Sequence, residues 1–357
     1  MKQPLEVLRR YWGYEDFRPG QLDIITSILK GKDTLALLPT GGGKSICYQI
    51  PAICKEGVCL VISPLIALMA DQVSELRKRG FKAEDLSGTH RPDEIDRKLD
   101  NCRFGYSQFL FLSPERLKNE ELFSRISELP ISFLTVDEAH CISEWGYDFR
   151  PAYLDIGELK RVCPHIPVLA LTATAPPRVT KDIQARLHFS EENLIRRSFH
   201  RPNLAYRVRY TNNPVGDLFQ LLYRNQGSCI IYVRSRRNAE MLAATLNQKG
   251  HSALAYHAGL DIAVRHERQQ LWMKDQNRIM VATTAFGMGI NKGNVRQVIH
   301  WTMPESPEAF FQEAGRAGRD GENAICTVLI RNEEVEQWYE QKKQEWPDDG
   351  FLRTSYD

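Results

Sequence analysis

The chain has 357 residues, 42% of them apolar and 26% charged, with a formal net charge of +2 at neutral pH. That length points to two domains, the ordinary balance gives no sign of disorder, and so small a net charge does not announce a nucleic-acid partner through bulk electrostatics. The N-terminal Met-Lys-Gln-Pro lacks the apolar core of a signal peptide, and the longest apolar stretch, residues 58–70, is broken by Ser63-Pro64 and too short to span a bilayer.

Residues 1–31 open with a helical pattern, Leu5, Val7-Leu8, Tyr11-Trp12, followed by Gly13-Tyr14-Glu15-Asp16-Phe17-Arg18-Pro19-Gly20-Gln21. Pro19 suits a first helical turn, and Leu22, Ile24-Ile25 and Ile28-Leu29 continue the 3.6-residue period. Tyr14, Arg18 and Gln21 have the chemistry to stack on and hydrogen-bond a base; taken alone, they equally read as surface polar residues at a helix start.

Next comes a short apolar run, residues 34–38, then Pro39-Thr40-Gly41-Gly42-Gly43-Lys44-Ser45, then Ile46-Cys47-Tyr48-Gln49-Ile50. That order predicts strand, glycine loop, helix. Glycines let the backbone curl and turn its N–H groups inward as a nest for phosphate oxygens, and the helix adds the positive end of its dipole. Lys44 supplies a point charge for the β/γ-phosphates, and the Ser45 hydroxyl can ligate Mg²⁺. The longer phosphate-loop pattern wants glycine at position 38, where this chain has Leu38, so the match is to the shorter Pro-Thr-Gly-x-Gly-Lys-Ser variant.

Apolar runs then alternate with helical stretches: strands at 58–62, 109–112, 131–136 and 167–171, and an amphipathic helix at 65–79. Such alternation predicts a parallel sheet covered on both faces, with ligand loops at the carboxyl ends of the strands. Ser63-Pro64-Leu65, Ser113-Pro114-Glu115-Arg116, Asp137-Glu138-Ala139-His140 and Thr172-Ala173-Thr174 all fall at those ends. Asp137, ending a buried strand, is placed to hold Mg²⁺, and Glu138 to orient or deprotonate an attacking water.

Residues 194–207 read as an interdomain connector. A second α/β set follows, with strands at 228–233, 253–256, 278–282 and 297–300 and a helix at 237–248. It has no phosphate loop, but it has Gln312-Glu313-Ala314-Gly315-Arg316-Ala317-Gly318-Arg319. Two arginines three apart share a helix face or a tight turn, and their guanidinium forks suit a triphosphate held by the other lobe, as an arginine finger does. From Glu333 the chain reads as an acidic helix, then a breaker at Pro347-Asp348-Asp349-Gly350. The eight cysteines, at 47, 54, 59, 102, 141, 163, 229 and 326, form no C-x-x-C pair, so buried free thiols are expected, with no zinc site and no disulfide.

In this order, the phosphate loop, Asp137-Glu138-Ala139-His140, Thr172-Ala173-Thr174 and the arginine motif resemble superfamily 2 helicases. Three stretches narrow the resemblance to the RecQ family of DNA helicases: Gly13-Tyr14-x-x-Phe17-Arg18-Pro19-Gly20-Gln21, residues 141–151 from Cys141 through Trp145 to Pro151, and Ala285-Phe286-Gly287-Met288-Gly289-Ile290-Asn291-Lys292. It covers residues 5–334. It implies an α/β fold of two tandem RecA-like lobes, each a mainly parallel sheet flanked by helices: 1–200, 201–334, and a tail at 335–357. Tyr14, Arg18 and Gln21 would hold adenine, with residues Thr40, Gly41, Gly42, Gly43, Lys44 and Ser45 on the phosphates and Ser45 and Asp137 on Mg²⁺. Glu138 would be the base, and Arg316 and Arg319 would act from the second lobe. Trp145, Phe149 and Arg150, with Thr172 and Thr174, would couple single-stranded DNA to the ATP site.

The resemblance implies a monomeric, ATP- and Mg²⁺-dependent DNA helicase translocating 3′→5′ in repair or recombination. It would work on single-stranded DNA and tailed duplexes and bind no membrane, in the cytoplasm of a prokaryote or the nucleus of a eukaryote. An ATP-gated DNA-binding module that separates no strands and an RNA helicase are the alternatives. The chain departs from the family at Tyr147, where histidine is usual; tyrosine keeps a hydrogen-bonding ring but carries no positive charge near neutrality. Many members continue into zinc-binding and winged-helix modules, and no cysteine cluster follows Gly321 here, so a helicase core is expected.

Overall fold

The computed structural model describes residues 3–146, 148–224, 227–276, 278–286 and 292–345. The chain forms two compact units, Met1–His200 and Arg201–Asp357. The first is built on β1 (Thr34–Leu37), β2 (Val58–Ile62), β3 (Ala83–Asp85), β4 (Phe109–Leu112), β5 (Ile131–Val136), β6 (Val168–Thr172) and β7 (Leu194–Arg196), in the sheet order β3-β4-β2-β5-β6-β1-β7. Every pairing among them is parallel.

Parallel strands need helical crossovers, which cover both sheet faces, so the strands read as continuous apolar runs. The period of two survives inside those runs. Leu35 and Leu37 face one core with Leu60, Ile62 and Leu134; Ala36 and Leu38 face the other with Val61, Phe111 and Phe133. The register aligns Leu37 with Thr172, Val136 with Ala170, and Ile62 with both Val136 and Leu112. The loops after these strands therefore leave from one edge of one sheet.

The second unit repeats the plan with β8 (Leu204–Tyr210), β9 (Ser228–Tyr232), β10 (Ala253–Tyr256), β11 (Ile279–Ala282), β12 (Val295–His300) and β13 (Ala324–Ile330), in the order β10-β11-β9-β12-β13-β8, again all parallel. Two tandem parallel-sheet α/β units are what the alternating pattern predicts.

The expected connector at 194–207 needs correction. Leu194–Arg196 is β7, paired with β1, and Leu204–Tyr210 is β8, paired along its whole length with β13. Only residues 197–203 link the two sheets. Both strands lie at sheet edges, where one flank meets solvent; arginines alternate through β8 and give it the polarity of a linker.

One buried ion pair ties the first sheet together. Asp33, just before β1, and Lys160 are 2% and 6% exposed. Lys160 Nζ donates to Asp33 Oδ1 at 3.0 Å and to the carbonyls of Pro164 (3.1 Å) and Ile166 (2.7 Å). Asp33 also accepts from Val168 N–H at 2.9 Å and Ser190 N–H at 3.0 Å. Asp33→Ala leaves Lys160 buried without its counter-charge, which typically costs about 3–5 kcal/mol. The expected result is a drop of about 6–20 °C in the calorimetric transition of this unit, partly recovered in Asp33→Ala/Lys160→Met. An unchanged transition in the single variant would exclude this role.

Candidate active site

The loop after β1 is shaped by its glycines. Gly41 and Gly43 sit at φ of 80° and 74°, the left-handed region open to glycine, and a Cβ on Gly42 would come within 2.8 Å of the Pro39 carbonyl. Leu38 N–H donates to Thr172 C=O at 3.2 Å, and Gly42 N–H to Pro39 C=O at 2.8 Å, so the loop is pinned to β6 and closed on itself. The helix Lys44–Cys54 starts directly after Gly43 and is buried from Ile46 onward. Its first N–H groups thus open toward the loop.

Lys44 Nζ lies 3.1 Å from Glu138 Oε1, both side chains mostly buried. Glu138 follows β5 with φ at 48°, a left-handed conformation costly for any residue but glycine. Asp137, one residue earlier, is buried and accepts from Ser63 Oγ at 3.4 Å, while its backbone N–H donates to Ile62 C=O at 2.9 Å. Burial pushes the Asp137 carboxyl up to about 6; Lys44 pulls it down and the Glu138 charge pushes it up again. Tyr153 OH donates to the Asp137 carbonyl at 2.9 Å. These contacts orient the strand end where two carboxylates and one ammonium crowd together.

His140 is buried, and its Nδ1 lies 2.9 Å from Thr172 Oγ1 and 3.5 Å from Glu138 Oε2. Thr172 Oγ1 in turn donates to Thr174 C=O at 3.3 Å. A hydroxyl has one proton, so the histidine donates from Nδ1 in this arrangement. Burial lowers the His140 pKa, against the Glu138 charge that raises it, which favours the neutral ring. Thr172 thus joins β6 to the acidic strand end of β5.

Gln21 and Arg18 reach the same loop. Gln21 Nε2 donates to the carbonyls of Gly42 at 3.2 Å and Gly43 at 3.1 Å, Gln21 Oε1 accepts from Arg18 N–H at 2.9 Å, and Arg18 Nη1 donates to Gly41 C=O. Tyr14 is exposed. The three residues expected at adenine thus divide: two clasp the phosphate loop, and the third presents its ring to solvent.

The aromatic-rich segment is anchored on the residues after Glu138. Arg150 N–H donates to Cys141 C=O at 2.8 Å, Gly146 N–H to Ser143 C=O at 2.9 Å, and a Cβ on Gly146 would meet the His140 carbonyl at 2.6 Å. Trp145 is 57% exposed, with the Arg178 guanidinium carbon 3.1 Å from its ring centroid. Phe149 is half-buried. Arg150 pairs with Asp148 at 3.2 Å; burial opposes the Arg150 charge, and the Asp148 carboxylate outweighs it and raises the arginine. Tyr147 lies outside the described residues, as do residues 287–291 of the motif that starts at Ala285.

In the second unit, the helix Pro307–Ala314 runs into turns that carry Arg316 and Arg319. Behind them His300 Nε2 lies 2.8 Å from Glu313 Oε2, the Tyr232 ring stacks on His300 with centroids 5.5 Å apart, and Tyr232 OH donates to Phe286 C=O at 2.8 Å. Burial, then the neighbouring Arg316 charge, lowers Arg319 to about 9, which still leaves it a cation at neutral pH. No sequence pattern marks Tyr153 or Tyr232, and Glu313 and His300 lie inside a marked motif and a predicted strand without being singled out, because each acquires its partner from the tertiary fold. Ser63 was marked by its place at a strand end.

The family model for DEAD/DEAH box helicases matches residues 18–183, and that for the helicase conserved C-terminal domain matches residues 213–321. The ATP-dependent DNA helicase RecQ of Pasteurella multocida (strain Pm70) is 45% identical over 317 residues, which is 88% of this chain and 50% of that protein. The probable ATP-dependent DNA helicase RecS of Bacillus subtilis (strain 168) is 42% identical over 329 residues, 91% of this chain and 66% of that one. This chain therefore spans about half the length of the RecQ relatives it matches. Among solved structures, the DUF1998 helicase MrfA bound to DNA superposes with a TM-score of 0.77 at 19% identity, covering 95% of this chain and 49% of that one. The DEAD-box helicase Mss116 bound to ssRNA superposes at 0.75 and 17%, covering 94% and 74%. Both likenesses establish the fold.

Proposed function

Because the chain belongs to the RecQ family of helicases, we propose that it is an ATP-dependent DNA helicase that moves 3′→5′ along single-stranded DNA and separates the duplex ahead of it. The observation that carries the reading is the Lys44–Glu138 contact at 3.1 Å, beside Asp137, at the strand edge where the glycine loop ends. A cation for phosphate oxygens and a carboxylate for water stand within one side chain of each other.

The glycine loop and the helix Lys44–Cys54 offer backbone donors to the β- and γ-phosphates, and Lys44 exchanges Glu138 for a phosphate oxygen when ATP binds. The freed Glu138 carboxylate takes a proton from water as the water oxygen attacks the γ-phosphorus, and the bond from that phosphorus to the β-bridging oxygen breaks to release ADP. Ser45 and Asp137 would hold Mg²⁺, and a carboxyl pushed up by its burial fits a cation whose charge would keep it ionised. Held there, the ion would supply positive charge to the phosphate oxygens. Arg316 and Arg319 supply further charge to the transferring phosphoryl group. Gln21 and Arg18 leave the loop carbonyls for adenine, with Tyr14 as the stacking face, so base recognition reshapes the loop. Thr172 and Thr174, joined through His140 to the Glu138 strand end, and Trp145, Phe149 and Arg150, anchored just beyond it, report a bound DNA strand.

Strand displacement decides the reading. With ATP, a 3′-tailed DNA duplex is expected to be separated, a 5′-tailed or blunt one not, and matched RNA to stimulate hydrolysis far less than DNA. Hydrolysis without displacement at saturating protein would instead favour an ATP-gated DNA-binding module. Equal stimulation by RNA would favour an RNA-remodelling enzyme.

A further inference from the structure

The turn bearing the two arginines is held from outside itself. Arg316 N–H donates to Glu313 C=O at 3.2 Å and Ala317 N–H to Ala314 C=O at 3.1 Å, bonds that span three residues and tighten the helix end. The carbonyls of Gly315 and Gly318 are met by side chains of the segment that enters this unit. Arg201 Nη1 donates to Gly315 C=O at 2.9 Å and Arg201 Nη2 to Gly318 C=O. Asn203 Nδ2 donates to Gly318 C=O and to Glu322 C=O, each at 2.8 Å. Asn203 is itself fixed, since its carbonyl accepts from Ala324 N–H at 2.8 Å at the start of β13.

The placement is regular. Each braced carbonyl belongs to the residue directly before an arginine: Gly315 precedes Arg316, and Gly318 precedes Arg319. A peptide unit is planar, so fixing the carbonyl of one residue fixes the direction in which the next Cα leaves. The guanidinium is a rigid planar fork, and bonding two carbonyls three residues apart with it sets the spacing between those two peptide planes. Gly318 is at φ 58°, and a Cβ there would come within 2.7 Å of Asn203 Nδ2. The amide thus occupies the face that glycine leaves open.

Resting on the function proposed above, we propose that Arg201 and Asn203 are positioning residues that hold Arg316 and Arg319 in the orientation required for phosphoryl transfer. A further guanidinium beside two others is an electrostatic cost that a neutral donor would avoid. What arginine adds is the two-pronged geometry that no other side chain supplies.

Arg201→Lys keeps the charge and removes the fork; Asn203→Asp keeps the shape and removes both donated bonds. In the full chain with saturating single-stranded DNA, each variant is expected to lower kcat for ATP at least ~10-fold, since misplacement by an ångström can cost about 10²-fold. KM for ATP, Kd for a fluorescent non-hydrolysable ATP analogue and Tm are expected to stay close to the parent values. A kcat within twofold of the parent in both variants would overturn the proposal. So would a fall in kcat accompanied by matching losses in Tm and analogue binding, which a merely structural role produces. Arg316→Ala separates the two readings. If it is inactive while both brace variants are active, the brace alone fails; if it retains parent activity, the role of the arginines fails and the brace with it.

Discussion

Lys44→Ala will take DNA-stimulated ATP hydrolysis to background, a loss of at least about 10²–10³-fold, the cost of removing one preorganised donor from a developing oxyanion. The geometry makes the loss larger than that of one phosphate contact. Lys44 also holds Glu138 at 3.1 Å and lowers the proton affinity of Asp137. Without the ammonium, the Asp137 carboxyl loses the charge that lowers it, while burial and the Glu138 charge continue to raise it. The residue proposed to hold Mg²⁺ is thus pushed toward its protonated form. Lys44→Arg is not expected to rescue, because a longer planar fork cannot replace a point charge between a glycine loop and Glu138. Steady-state ATPase with and without single-stranded DNA checks this, and appreciable activity in Lys44→Ala would remove the assignment of the phosphate loop.

How far the sequence leads depends on whether a feature is local. Fully buried strands such as Phe109–Leu112 and Ile131–Val136 appear as unbroken apolar runs, because helices cover both faces of a parallel sheet. Three of the four edge strands do not. β3 has three residues, β7 has three with an arginine, and β8 alternates apolar residues with arginines, so its pairing with β13 is invisible before the sheet order is known. β13 is a largely buried apolar strand that falls between two expected features, the arginine motif and the acidic helix from Glu333, and no strand is expected there.

The site divides in the same way. Lys44, Asp137, Glu138, Thr172 and the arginine pair are marked by short motifs because phosphate chemistry restricts which residues can follow a glycine loop or a strand end. The clasp of Gln21 on Gly42 and Gly43 spans 21 and 22 residues, and the Arg201–Gly318 contact spans 117. No local pattern encodes a bond of that separation. The marked motifs carry the expectation of phosphate chemistry; only the order β5-β6-β1 in the first sheet tells that Glu138, Thr172 and Lys44 meet.

Glu138→Gln should separate binding from chemistry. General-base catalysis contributes about 10²–10⁴-fold, so kcat is expected to fall by that factor, while affinity for ATP is unchanged or tightened. Tightening follows from charge: a carboxylate beside the γ-phosphate site repels the incoming anion and competes with it for Lys44, and the amide does neither as strongly. The backbone supports the same assignment. Glu138 sits at φ 48°, a conformation that costs a non-glycine residue about 1–2 kcal/mol, yet its side chain is mostly buried and aimed at Lys44. A glutamine fills the same volume at the same φ, so Tm should not move, and the loss of rate cannot be assigned to unfolding. Glu138→Gly relieves the backbone cost but removes both the base and the partner of Lys44; it should be as inactive as Glu138→Gln. Single-turnover hydrolysis with a nucleotide-binding titration reads both halves. If Glu138→Gln hydrolyses ATP within tenfold of the parent, the attacking water takes its orientation from another group, and the carboxylate at the end of β5 serves only to hold Lys44.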